Sequence, residues 1–189
     1  MARKIIVFEG IDGTGKTTQA KLLENRLNQS GIRAKIFPFG DPELLEGAIR
    51  KARRNQSIFK LPQRVQILLV AADFYACMEK VVRYNGVAIL DRYWETVLAY
   101  HIPKGISAEW IKVIYQDTPK PDAIILLDAP VEEMAKRKAE DINALNIEQQ
   151  EKARQIYLVH FGENKINALL NIEEIYREVW ERIKPILRG

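Results

Sequence analysis

Apolar positions in this 189-residue chain fall into two kinds of run. Short stretches that are apolar almost without interruption occur at 4–10 (KIIVFEG), 33–39 (RAKIFPF), 86–91 (GVAILD) and 122–128 (DAIILLD), with a weaker fifth at 164–170 (NKINALL). Between them lie longer segments whose apolar residues recur every three or four positions. After Lys16 these are Ala20, Leu23 and Leu27, with Gly31 suited to the residue just past a helix C-terminus. From Leu61, LPQRVQILLVAADFYACMEKVV predicts a long, largely buried helix entered through Pro62. The segment NIEEIYREVWERIKPIL predicts an amphipathic closing helix with Ile172, Ile175, Val179 and Ile183 on one stripe. Strands that do not alternate are buried on both faces, and parallel neighbours need helical crossovers. The alternation therefore predicts one α/β domain over 1–189, three layers deep, around a five-stranded, mainly parallel sheet. Ligands of such sheets bind beyond the carboxyl ends of the strands. Three strands here end in chemistry there, at Glu9-Gly10, Asp91-Arg92 and Asp128.

Composition narrows the class. With 47% apolar and 29% charged residues the chain is an ordinary globular one, and its single cysteine, Cys77, excludes an internal disulfide framework and a cysteine-rich zinc site. Behind Arg3 and Lys4 the apolar run Ile5 to Phe8 is too short for a signal segment, and no stretch approaches a membrane span. These features predict a cytoplasmic protein. Net charge is +4, which suits a binder of polyanions; the one dense basic run, RKARR at 50–54, is either a solvated helix face or an anion-facing patch. His101 and His160 are isolated and predict no dyad or metal site. Cys77 is expected in the core.

Gly10-Ile11-Asp12-Gly13-Thr14-Gly15-Lys16-Thr17, followed by Thr18, matches G-x-x-x-x-G-K-[ST] between a strand and a helix. Glycines let successive backbone N–H groups point inward, and the helix N-terminus adds its positive end. In this P-loop fold Lys16 reaches the β- and γ-phosphates and the Thr17 hydroxyl is a ligand for Mg²⁺. ATP with Mg²⁺ is the expected bound pair. The guanine signature N-K-x-D is absent (NKIN at 164–167 lacks the Asp), and the chain is short for a large ATPase. The pair in ILDRY (89–93) favours a nucleotide or nucleoside kinase: Asp91 can hold Mg²⁺ through water or orient an acceptor, and Arg92 offers a fork to a phosphate.

FEGIDGTGKTTQ, FP at 37–38, LLVAAD at 68–73, DRYWETVLAYH at 91–101 and LLDAPVEEMAKRK at 126–138 resemble the thymidylate kinase family over nearly the whole chain. Asp91, Arg92, Tyr93, Thr96, Ala99 and Tyr100 match the family's D-R-Y-x-x-[ST]-x-x-A-Y stretch. Leu127, Asp128, Pro130, Glu132 and Arg137 match its L-D-x-P-x-E-x-x-x-x-R stretch. The resemblance implies phosphorylation of dTMP to dTDP by a homodimer, with a short lid at about 137–147 and no nucleic acid or membrane partner. It implies that Lys16, Asp91, Arg92 and Arg137 are catalytic, with Asp91 supporting the metal and Arg92 clamping the acceptor phosphate. Asp12, Phe37, Pro38, Val70, Phe74, Tyr100 and His101 complete the acceptor site it implies. In that site Asp12 takes the 3′-hydroxyl or orders the site, and Tyr100 lines the deoxyribose. Residues 167–171 border the adenine.

The departures from the family cluster. Phe39, Gly40 and Asp41 follow FP where the family has an Arg. Val70 stands for the Phe that stacks on thymine, Phe74 for the Arg that bonds the base, and His101 for a Gln. Residues 11–14 carry no Arg and Asp141 is followed by Ile142, so the nearest lid cations are Lys136, Arg137 and Lys138. Arg50 and Arg64 are candidate replacement donors for the base, and Trp94 either walls the cleft or packs. Three functions follow: a dTMP kinase, a kinase for another or several nucleoside monophosphates, or a nucleotide-binding regulatory protein with weak transfer.

Overall fold

The computed structural model describes residues 3–41, 43, 47–137 and 146–188. Five strands, β1 (Lys4–Glu9), β2 (Ala34–Pro38), β3 (Val87–Asp91), β4 (Ala123–Asp128) and β5 (Lys165–Asn167), form one sheet in the order β2-β3-β1-β4-β5. All four neighbouring pairs are parallel; Val7 lies opposite Leu90 on one side and Ile124 on the other. The uninterrupted apolar runs are explained by two separate cores. Ile6, Phe8, Val87 and Ile89 pack into one. Their neighbours Ile5, Val7, Ala88 and Leu90 pack into the other. The fifth strand is three residues long, shorter than its run predicts.

The first core is covered by α1 (Lys16–Gln29), α7 (Ile147–Phe161) and α8 (Ile172–Arg188), and the second by α3 (Gln63–Arg83) and α5 (Ala108–Tyr115). Three further short helices, α2 (Ala48–Arg54), α4 (Glu95–His101) and α6 (Val131–Arg137), complete the α-helices of the described residues. Ala20, Leu23 and Leu27 are buried as their spacing predicts, and Gly31 takes the left-handed φ of 76° expected past the end of α1. On α8 the stripe is Ile175, Tyr176, Val179 and Ile183; Ile172, expected on it, is 55% exposed because it opens the helix beside a cavity. Most of the lid expected at 137–147 lies outside the described residues.

Candidate functional site

β1 runs into the loop 10–15 and the loop into α1. Gly10, at φ 140°, passes so close to β4 that a Cβ would overlap the Leu127 carbonyl oxygen, so the turn needs glycine there. The Thr14 hydroxyl (2.9 Å) and the Lys16 ammonium (2.7 Å) both donate to the Ile11 carbonyl inside the loop. Burial, with the Arg92 charge adding to it, lowers the Lys16 ammonium to about 7. An anionic phosphate beside it would restore the charge.

β3 ends one strand over, where the Thr17 hydroxyl donates to the Asp91 carboxylate. Arg92 follows with φ 81°, an unusual conformation for a non-glycine residue, fixed by its N–H donating to the Phe8 carbonyl at 2.9 Å. That turn swings its guanidinium back over the loop, where it donates to the Gly10 carbonyl at 3.1 Å and pairs with Asp12. Beneath it, fully buried Glu9 accepts from the Tyr93 N–H and from the Thr96 and Tyr157 hydroxyls, each at 2.8 Å. Burial pushes the Glu9 carboxyl up, and Arg92 opposes the rise. Gln150 of α7 exchanges two bonds with Asp12, accepting from its N–H (3.1 Å) and donating to its carboxylate (3.2 Å). Tyr100 donates to the same Gln150 oxygen at 2.9 Å.

Three cavities adjoin around this network. One of about 760 Å³ lies between Gly13–Gly15, Gln19, Arg137 and the segment 169–173. A second, about 430 Å³, is walled by Asp12, Lys16, Thr17, Asp91, Arg92 and Arg137. The third, about 530 Å³, holds Val70, Tyr100, His101, Phe39 and Arg53. Arg137, which donates to the Ala168 carbonyl at 2.9 Å, walls the first and second. Asp12 and Arg92 wall the second and third. Shared wall residues join the three cavities into one continuous trough across the strand ends.

The loop and the donor set fit a magnesium nucleotide. Thr17 and Asp91 offer hard oxygens next to Lys16. Among the described residues no cluster of three His, Cys, Asp or Glu side chains could cage an ion. Mg²⁺ sites commonly use one or two protein oxygens, and Thr17 and Asp91 could supply two.

The trough brings together Gly10 to Thr18, Asp91, Arg92, Arg137, Asp12, Val70, Tyr100 and His101, with Ile11 buried beneath the loop. It does not bring in Phe37, Pro38 or Phe74. Phe37 and Pro38 line a separate recess of about 430 Å³, with Phe37 packed edge-on to Tyr84 at 5.4 Å. Phe74 is fully buried among Phe39, Tyr75, Tyr93 and Tyr115. The Phe39 ring lies against it and itself faces the cavity. Trp94 packs, stacked on Tyr115 at 5.7 Å. Arg64 lies over Trp110, and Lys136 pairs with Glu133. Burial lowers His101 to about 4, and it bonds Gln63 at 2.8 Å, so its ring is neutral near pH 7. Sequence reasoning missed Gln150 and Tyr157, whose signal is a buried polar residue and a buried Tyr seven positions apart on one helix face. Arg53, within the basic run 50–54, and Phe39, within the departure after FP, were marked by the sequence without being assigned to the cavity they line.

The chain matches the thymidylate kinase family model over residues 8–183. It is 34% identical to the probable thymidylate kinase of Pyrococcus abyssi over 199 residues, covering 97% of each chain. The probable thymidylate kinase of Pyrococcus horikoshii is likewise 34% identical, again over 97% of each chain. In three dimensions it superposes on thymidylate kinase from Candida albicans with a TM-score of 0.80 at 23% identity, covering 97% of this chain and 92% of that one.

Proposed function

The chain belongs to the thymidylate kinase family, and from that premise we infer that it phosphorylates dTMP to dTDP with ATP as donor. The observation that carries the residue roles is that Asp12 and Arg92 wall both the loop's phosphate cavity and the cavity beyond it. A phosphate of the acceptor lying at that junction meets the donor's γ-phosphate there. One of its oxygens forms the new P–O bond while the bond to the leaving ADP oxygen breaks.

Lys16 neutralises the donor's terminal phosphates, and Arg92, held from below by Gly10 and Asp12, gives the acceptor phosphate a fixed fork. The Asp12–Gln150 pair presents a carboxylate and an amide to the sugar hydroxyl, with Tyr100 packed beside it. Arg137 spans the donor's base and phosphate cavities, and the segment 169–173 borders the adenine. Thr17 and Asp91 would hold Mg²⁺, which when bound would supply positive charge to the phosphates beside Lys16. No side chain forms a covalent bond to the phosphoryl group; the rate comes from positioning and charge.

Residues 1–189 form one domain of a cytoplasmic enzyme. Among the described residues no helix is long and apolar enough to cross a membrane. Two copies pair through the exposed apolar residues Leu61, Val65 and Leu68.

The test is ADP formation from ATP-Mg²⁺ against a panel of nucleoside monophosphates. Selective stimulation by dTMP is expected, and Lys16→Met lowers kcat by about 10²-fold or more. A panel in which no acceptor stimulates turnover, with ATP still bound, removes the kinase function.

A further inference from the structure

The segment that leaves β2 is a thin wall between two cavities. Phe39 faces the acceptor cavity, while Pro38 and Asp41 face the separate recess of about 430 Å³. On the recess side the segment is gripped by α3 at three points. The Cys77 thiol donates to the Pro38 carbonyl at 3.2 Å. The Asp41 N–H is shared between the Asp73 carbonyl, at 3.0 Å, and the Asp73 carboxylate, at 2.9 Å. The Lys80 ammonium lies 2.9 Å from the Asp41 carboxylate and also pairs with Glu43. Asp73, Cys77 and Lys80 stand at i, i+4 and i+7, which is one stripe of a helix. The first two grips are buried. Lys80, with its side chain 46% exposed, is the one that solvent reaches.

Resting on the dTMP kinase function above, we propose that Lys80 is a positioning residue for the acceptor, clamping Asp41 from the recess and so setting where Phe39 stands in the acceptor cavity wall. Lys80 lines the recess and not the cavity, so it acts only through the segment 38–41. That segment needs a clamp because of its path. Gly40 sits at φ 92°, where a Cβ would overlap the Asp73 carboxylate, so this close passage requires the residue with the least conformational preference. The backbone around it therefore takes its place from its two ends. One end is β2, paired to β3; the other is Asp41. Asp41 is 5% exposed and lies against Asp73, so two buried carboxylates stand side by side and the Lys80 charge offsets their repulsion. Being half in solvent, that charge is screened by salt as the two buried grips are not.

The experiment measures kcat and the KM values for dTMP and ATP in the wild type, Lys80→Met and Lys80→Arg, with hydrogen exchange of the Asp41 amide. Lys80→Met keeps the stem and removes the charge, whereas Lys80→Arg keeps the charge. Lys80→Met raises the KM for dTMP by about fivefold, leaves the KM for ATP unchanged and speeds Asp41 exchange, and Lys80→Arg restores all of these. A lower melting temperature with the dTMP KM and Asp41 exchange unchanged would reduce Lys80 to a surface contact and overturn the proposal. So would an equal rise in both KM values. If Lys80→Met does not fold, the wild type decides: about 0.5 M salt speeds Asp41 exchange relative to the amides of β1, and an unchanged ratio overturns the clamp. A wild type that phosphorylates no acceptor sinks the kinase function, while Asp41 exchange still tests the clamp separately.

Discussion

Lys16 is held near 7 chiefly because burial removes water from its ammonium, so near neutral pH about half of the free molecules carry it uncharged. Phosphates beside it raise that value. Nucleotide binding at about pH 8 therefore takes up part of a proton, and affinity falls as pH rises from about 7 to about 9. Calorimetry in two buffers of different ionisation enthalpy checks this; identical heats would contradict it. Glu95 gives a second pH signature. Burial, then the Glu9 charge, raises its carboxyl to about 8, and its Oε2 has no hydrogen-bond partner. Its folded value lies above the ordinary 4.5, so its favourable contribution is complete below about 4.5 and is lost as pH rises through 8. Urea denaturation should show stability declining over that window, and Glu95→Gln should flatten the decline by on the order of 2 kcal/mol. The loop residues and the Asp91-Arg92 pair were legible in the sequence because each sits at a fixed offset from a strand end. Phe74 was not: its spacing from Val70 puts both on one helix face, and only the Phe39 ring, from a loop 35 residues earlier, decides which of them meets the cavity.

Among elements, the sheet order follows from strands whose two faces feed two cores, and that much the apolar runs contain. The short helices are a different matter. α4 and α6 are seven residues each, too brief to show a period, and they form because the strand ends before them are already fixed. α7 is where element and site meet. It buries Gln150, Ala153 and Tyr157, and its polar residues reach the loop through Asp12 and Glu9. Arg154 on the same helix grips Asp128 at the end of β4 with bonds of 2.7 and 3.1 Å. The helix is thus pinned at three strand or loop ends. Tyr157→Phe removes one of the three donors to a fully buried carboxylate. A loss of about 1–3 kcal/mol in denaturant melts is expected, and an unchanged midpoint would mean that water replaces the hydroxyl.

For the whole molecule, the trough runs from the segment before α8, across the loop, to α2, and each part comes from a different stretch of chain. Its half around the loop 10–18 lies close to the sequence signal, and its other half is assembled from α2, α3, α4 and α7. Pairing on the exposed stripe of Leu61, Val65 and Leu68 predicts a dimer by sedimentation equilibrium, with Leu68→Glu shifting the mass toward one chain. A monomer at micromolar wild-type concentration would exclude that face.

The junction formed by Asp12 and Arg92 hangs from the ends of β1 and β3, which hydrogen-bonded neighbours hold on both sides. The other walls of the cavity beyond that junction hang from α2, α3, α4, α7 and the loop after β2. On the function proposed above, acceptor selectivity and rate rest on different elements: helices can exchange residues while the strand-borne groups stay in place. A lineage, or an engineer, could change the enzyme's diet without rebuilding its engine.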